Sequence, residues 1–139
     1  MASTHELADR LHSAAIHLLR RVRKSDVATG VTPAQLSALS VLMSGPKTLG
    51  ELAAAEQVKP PTVTRLAREL ERLGLAKRET DKTDARVARL RSTAKGSAIL
   101  QRGRDLRIAE LERRLRRLTR AELKTLDDAA VIIERIVRD

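Results

Sequence analysis

The sequence predicts a mainly α-helical chain with one small β-hairpin, and three observations carry that expectation. Four Ser or Thr residues are each followed three positions later by Glu or Gln, ahead of an apolar stripe at helical spacing. From residue 75 to residue 91 the pattern shifts to short alternation around a polar tip. No linker or low-complexity segment interrupts the 139 residues, a length that suits one domain with a real core.

The capping pairs are Ser3 with Glu6, Thr32 with Gln35, Thr48 with Glu51 and Thr119 with Glu122. In each, the hydroxyl can accept from an amide that the helix start leaves free, and the longer side chain can accept from the cap's own N–H. The first stripe is Leu7, Leu11, Ala15, Leu18 and Val22, ending before Thr29-Gly30. The second follows Pro33, a residue suited to the first helical position, and runs Leu36, Leu39, Leu42 and Met43 to the stop at Ser44-Gly45-Pro46. Leu49, Leu52 and Ala53 make a short third helix. Pro60-Pro61 opens a fourth, with Val63, Leu66, Leu70 and Leu73 on one face and Gly74 closing it. Residues 75–80 and 87–91 read as two short strands flanking the tip from Asp81 to Arg86. A long helix from about Thr93 to Leu118 carries Ile99, Leu106, Leu111, Leu115 and Leu118, and a last one carries Leu123, Leu126, Ala130, Ile133 and Val137.

Composition narrows the function. Lys plus Arg number 28 against 18 Asp plus Glu, a net charge of +10. Such an excess favours a polyanionic partner, because each neutralised phosphate releases counterions. Phe, Tyr and Trp are all absent. Single-strand binders and RNA-recognition sheets need aromatic faces for base stacking, so double-stranded DNA is the favoured polyanion. No apolar run approaches the roughly 20 residues of a membrane span. The stretch from Met1 to Arg10 lacks a signal-peptide core, so a cytoplasmic address is expected. The absence of Cys removes disulfides, Cys-ligated zinc and thiol switches.

Two helices joined by a tight turn and followed by a basic hairpin form a winged helix-turn-helix, whose second helix enters the major groove. Helices three and four are the expected pair, and residues 75–91 the wing. On the fourth helix Lys59, Thr62, Arg65, Arg68 and Arg72 lie off the apolar face. Pro60, Thr62, Thr64 and Arg65, near its start, are best placed for base edges, and Arg can bond guanine through two donors. Neither Pro60 nor Pro61 has an N–H to offer a phosphate at that helix end. Over residues 59–91 ten Lys and Arg stand against five Asp and Glu, a net +5 on the element expected to read DNA.

Several runs resemble the MarR family of bacterial transcription regulators. They are Thr48-Leu-Gly-Glu-Leu-Ala-Ala-Ala, Pro60-Pro-Thr-Val-Thr-Arg-Leu, Gly74-Leu, and Asp81-Lys-Thr-Asp84-Ala-Arg86 through Thr93-Ala-Lys-Gly96. The most specific part is an Asp and an Arg two apart, a strand, then Thr-x-x-Gly. The resemblance implies that Arg86, at the wing tip beside Lys82, reaches into the minor groove, and that Asp84 orients the wing by pairing with Arg65 or Arg78. Lys59 and Ser92 depart from it, standing where relatives often have Ser and Leu. It also implies a homodimer built from the first helix and the last two. The long leucine stripe supports that independently, since one small winged unit cannot bury it. Residues 1–31 and 93–139 then form a helical dimerisation region and residues 32–92 the winged helix-turn-helix, within one interwoven domain.

The resemblance further implies a small aromatic carboxylate, phenolic or lipophilic effector held between the dimerisation helices and the DNA-reading part. In this chain Ile16, His12 and Leu36 would line such a pocket, and Arg20 or Arg21 would receive a carboxylate. The function expected is a sequence-specific regulator of transcription, a repressor released by that ligand. The alternative is an architectural protein that coats or bends DNA without an effector. His5, Asp9 and His12 share a helix face but lack a fourth ligand, and read as surface charges rather than a metal site. Phosphate-loop and dinucleotide patterns are absent, and no nucleophile, base and orienting group can be assembled. Neither an enzyme nor a cofactor is expected.

Overall fold

The computed structural model describes residues 1–138. Helix α1 (Thr4–Arg23) leads into a 3-10 helix (Lys24–Thr29), then α2 (Pro33–Leu42), α3 (Leu49–Glu56) and α4 (Pro60–Arg72). Strands β1 (Ala76–Thr80) and β2 (Ala88–Ser92) follow, then α5 (Ala94–Leu115) and α6 (Arg120–Arg138). All four capping pairs form. The Ser3 hydroxyl accepts from the Glu6 N–H at 3.2 Å and the Glu6 carboxylate from the Ser3 N–H at 2.7 Å. Thr32 with Gln35, Thr48 with Glu51 and Thr119 with Glu122 repeat the exchange.

The core lies in the winged part. Leu39 of α2, Leu52 of α3, Val63 and Leu70 of α4, Leu75, and Leu90 of β2 are all but fully buried in one cluster. Each contributes roughly 1.5–3 kcal/mol by leaving water. The strands pair antiparallel from Ala76↔Ser92 to Thr80↔Ala88. The hairpin is fastened to the body at Lys47, whose N–H donates to the Leu90 carbonyl at 3.0 Å and whose carbonyl accepts from Leu90 at 2.7 Å. The sequence expects strands over 75–80 and 87–91; each begins one residue later, because Leu75 turns into the core and Val87 closes the tip by bonding Asp81 and Asp84.

The Thr-x-x-Gly motif has a mechanical cause. The Thr93 hydroxyl caps α5 by accepting from the Gly96 N–H at 3.1 Å, and donates to the Gly74 carbonyl at 2.6 Å. A Cβ on Gly96 would stand 2.1 Å from the Leu75 carbonyl oxygen, so only glycine lets α5 leave the wing this closely packed.

Outside the winged part, burial thins out. Val22 is the one buried residue of α1 among those described, and α6 has none. Leu7, Leu11 and Leu18 of α1 and Leu126, Ile133 and Val137 of α6 are exposed despite their helical spacing. The 3-10 helix is not foreseen by any stripe. It buries Asp26 and Thr29, ends on Gly30 at φ 79°, and lies against α5. Helix α5 stops at Leu115, short of the expected Leu118, and residues 116–118 form the turn into α6. No helix among the described residues is long and apolar enough to cross a membrane.

Candidate DNA interface

Helices α3 and α4 meet across a turn of three residues. Gln57 takes the left-handed conformation there at φ 55°, and its N–H and that of Val58 bond back to Ala54 and Ala53. The start of α4 has no side-chain cap. Its first two N–H groups, of Thr62 and Val63, both donate to the Lys59 carbonyl, at 3.0 and 3.2 Å. With Pro60 and Pro61 contributing none, this helix start has few free amides for a phosphate, and side chains must make the contact. Lys59, Pro60, Thr62, Arg65 and Arg68 are exposed along the helix. Thr64 is half-buried, its hydroxyl donating to the Pro60 carbonyl at 2.9 Å.

The net +5 has a structural division. Each of the five acids between residues 59 and 91 pairs with a different arginine: Glu69 with Arg72, Glu71 with Arg78, Glu79 with Arg91, Asp81 with Arg89 and Asp84 with Arg86. Lys59, Arg65, Arg68, Lys77 and Lys82 are left without an ion pair among the described residues. The unpaired cations are the ones whose charge a phosphate can take without breaking an internal contact. Sequence reading could count the excess but not say which side chains carry it. Lys77 is one that it did not single out.

At the tip, Asp84 Oδ1 accepts from the Arg86 N–H at 3.0 Å and from Arg86 Nε at 3.1 Å, while Oδ2 accepts from Nη2 at 3.2 Å. The expected pairing of Asp84 with Arg65 or Arg78 is therefore corrected. Arg78 Nε donates to Glu71 at 2.7 Å, and a residue two positions along a tight turn reaches Asp84 more directly than one on α4. Hydrogen bonding from Arg86 holds the Asp84 carboxyl below the usual aspartate range. Asp81 is lowered likewise, chiefly by the Thr83 N–H, then by its hydroxyl. Both turns are charged and locally self-supporting, and they present the Arg86 side chain 90% exposed.

A family model for MarR regulators matches residues 29–87. An HTH-type transcriptional regulator of Mycobacterium tuberculosis is 32% identical over 136 residues, covering 97% of this chain and 95% of that protein. The chain belongs to the MarR family. Among solved structures, a transcriptional regulator of Thermotoga maritima superposes with a TM-score of 0.81 at 27% identity, covering 98% of this chain and 99% of that one. A mutant of S. aureus MepR bound to an oligodeoxyribonucleotide shares the fold, with a TM-score of 0.71 at 20% identity and coverage of 98% and 99%. This MarR-family protein is thus a DNA-binding transcriptional regulator, with α3–α4 and the hairpin as its winged helix-turn-helix.

The residues expected at an effector pocket are not gathered in one place. Leu36 is buried and lines a cavity of about 200 Å³ between the 3-10 helix, α2 and α5. His12, Ile16, Arg20 and Arg21 are exposed on α1 and do not line it. The charged groups on its wall are Arg23, Asp26 and Arg107, with Arg107 Nε donating to Asp26 Oδ1 at 2.7 Å. No local pattern marks this pair, since 81 residues separate its members. His5 and Asp9 are exposed on α1 as well, and no group of three potential metal ligands gathers among the described residues.

Proposed function

We propose that this MarR-family regulator works in the cytoplasm as a homodimer on a pseudo-palindromic operator and is a repressor released by a small ligand. The observation that carries the DNA assignment is the set of five unpaired cations on α4 and the wing, Lys59, Arg65, Arg68, Lys77 and Lys82. Thr62, Thr64 and Arg65 face base edges, Pro60 lies against the DNA, and Lys59, Arg68 and Lys82 contact phosphates. Asp84 holds Arg86 extended for the minor groove. Two recognition helices would then meet major grooves about one turn, roughly 10 bp, apart. The region of residues 32–92 reads DNA, and residues 1–31 with 93–139 hold the dimer together. The exposed leucine and isoleucine side chains of α1 and α6 support that division, since apolar faces left in water are the ones that association covers.

Selection of bound sequences from a random DNA pool, followed by footprinting, tests this reading. A protected inverted repeat is expected, with Arg65→Ala costing about 1–3 kcal/mol of affinity and Arg86→Ala weakening binding across sequences. Continuous, salt-sensitive coating without a selected site would favour an architectural protein instead.

A further inference from the structure

The wing is tied to the helices behind it at mid-height and, by a single side chain, at its tip. At mid-height Lys47 and Leu90 exchange backbone bonds and Arg78 pairs with Glu71 of α4, both at the level where Arg78 stands opposite Leu90. Arg89 of β2 makes the tie that reaches further. In the hairpin register it stands opposite Glu79, but Glu79 is taken by Arg91, which leaves the Arg89 guanidinium to reach off the sheet. Its Nη1 donates to Glu51 Oε1 of α3 at 3.0 Å and its Nη2 to Asp81 Oδ2 at 3.4 Å. Among the described residues it is the one arginine that pairs with two carboxylates. Both of those carboxylates are anchored already. Glu51 belongs to the capping box of α3, where it accepts from the Thr48 hydroxyl at 3.1 Å. Asp81 Oδ1 accepts from the Thr83 N–H and hydroxyl at 3.0 and 3.1 Å, and so holds the turn that precedes Asp84 and Arg86. A chain of polar contacts thus runs from the start of α3 through Arg89 to the wing tip.

We propose that Arg89 is the positioning residue of the wing: by bridging Glu51 and Asp81 it fixes the tip relative to α3, so that Lys82 and Arg86 meet the DNA in step with the side chains of α4. The proposal rests on the reading of the tip as a DNA contact. Arg89 is not itself a phosphate ligand. It is 33% exposed and Asp81 only 18%, and a phosphate would have to break both ion pairs to take it. Its planar fork suits the task, because two separate donors can face two carboxylates at once, which a lysine ammonium cannot do with the same fixed geometry. The benefit to binding is one of population. An untethered tip that stands in the right place only about a tenth of the time would weaken binding about tenfold, since the apparent dissociation constant rises as the competent fraction falls.

Fluorescence anisotropy of the full chain with a duplex selected from the random pool, at one fixed salt concentration, tests the clamp. The double variant Glu51→Gln/Asp81→Asn removes both charges that hold Arg89 and keeps the oxygens that the α3 cap and the Thr83 turn use. It makes the chain more positive, so charge alone predicts tighter binding, while a lost clamp predicts binding about three- to tenfold weaker. Arg89→Met keeps the apolar stem and should weaken binding at least as much. In a chain whose tip is already stripped, Lys82→Met/Arg86→Ala, adding Arg89→Met should have less than about a twofold further effect, because residues that act through one another are not additive. The denaturant midpoint should hardly move, since partly exposed ion pairs add little stability. Binding by Glu51→Gln/Asp81→Asn that equals or exceeds the wild type, or a full effect of Arg89→Met on the stripped chain, overturns the clamp. So does a fall in midpoint large enough to account for the lost affinity, which would make Arg89 a residue of the fold alone. A stripped chain that binds as the wild type does would instead overturn the tip's part in DNA binding, and the clamp's use with it.

Discussion

The winged part and the helical arm are built from similar residues and reach opposite ends. Leu39, Leu52 and Leu70 in α2 to α4 are fully withdrawn from water, and Leu126, Ile133 and Ile136 in α6 are exposed. Both sets recur at helical spacing, so periodicity marks a face that wants cover without saying what covers it. In the winged part three short helices and a hairpin converge, and each face finds another within the chain. Among the described residues helix α6 buries none of its side chains, and its apolar face is exposed. The winged part is thus expected to be stable by its own contacts, and the arm by association.

The largest effect should come from the closed side of this comparison. Leu39→Ala opens a void where α2 meets the wing joint and should cost about 2–5 kcal/mol, read as a fall in the denaturant midpoint. An unchanged midpoint would mean that the winged part does not depend on this core. On the open side, Ile133→Asp removes no buried contact within the chain, so the fold should be kept. If a second copy covers α6, the lost burial of about 1.5–3 kcal/mol per side chain should raise the dimer dissociation constant at least about tenfold in sedimentation. Unaltered association would take α6 out of the dimer interface.

What the sequence made legible follows the same boundary. The four capping boxes are local, with partners three positions apart, and all are present. The hairpin is local too, and its strands are displaced by only one residue. Contacts made across long stretches of chain were not legible. The buried pair of Asp26 and Arg107 links positions 81 apart, so neither the 3-10 helix nor the cavity wall had a signature. The Asp84 partner was misassigned for the opposite reason: the bond is more local than a search among distant arginines would find. A charge count gave the excess over 59–91, while the pairing that leaves Lys77 free required the register of β1 and β2.

The joint between the two regions offers a smaller perturbation. Thr93→Ala deletes both the α5 cap and the bond to Gly74, and should cost about 0.5–2 kcal/mol. Because this cap sits where the wing hands over to α5, the loss should also speed amide exchange at Gly96, whose N–H it holds. Exchange altered in α6 but not here would place the weak point in the arm instead.

The smallest expected effect lies at the wing tip, and it separates the tip from the core behind it. Asp84 is lowered by hydrogen bonds from the Arg86 side chain, then its N–H, and Asp81 by the Thr83 N–H and hydroxyl. A carboxylate whose folded pKa lies below its unfolded value of about 3.9 stabilises the fold at pH above that value. The contribution is lost as pH falls through the depressed folded value. Both groups are on the surface, so screening keeps the effect small and local. In an acid titration followed by NMR, the Thr83 and Arg86 amides should therefore each move below the ordinary aspartate midpoint, before the Leu52 amide in the core responds. Asp84→Asn should abolish the shift at Arg86 and keep that at Thr83, because the two turns use different carboxylates. An Arg86 amide signal that moves at or above the ordinary aspartate midpoint would mean that Asp84 does not hold this arginine in solution, and that the extended tip owes its shape to the strand pairing alone.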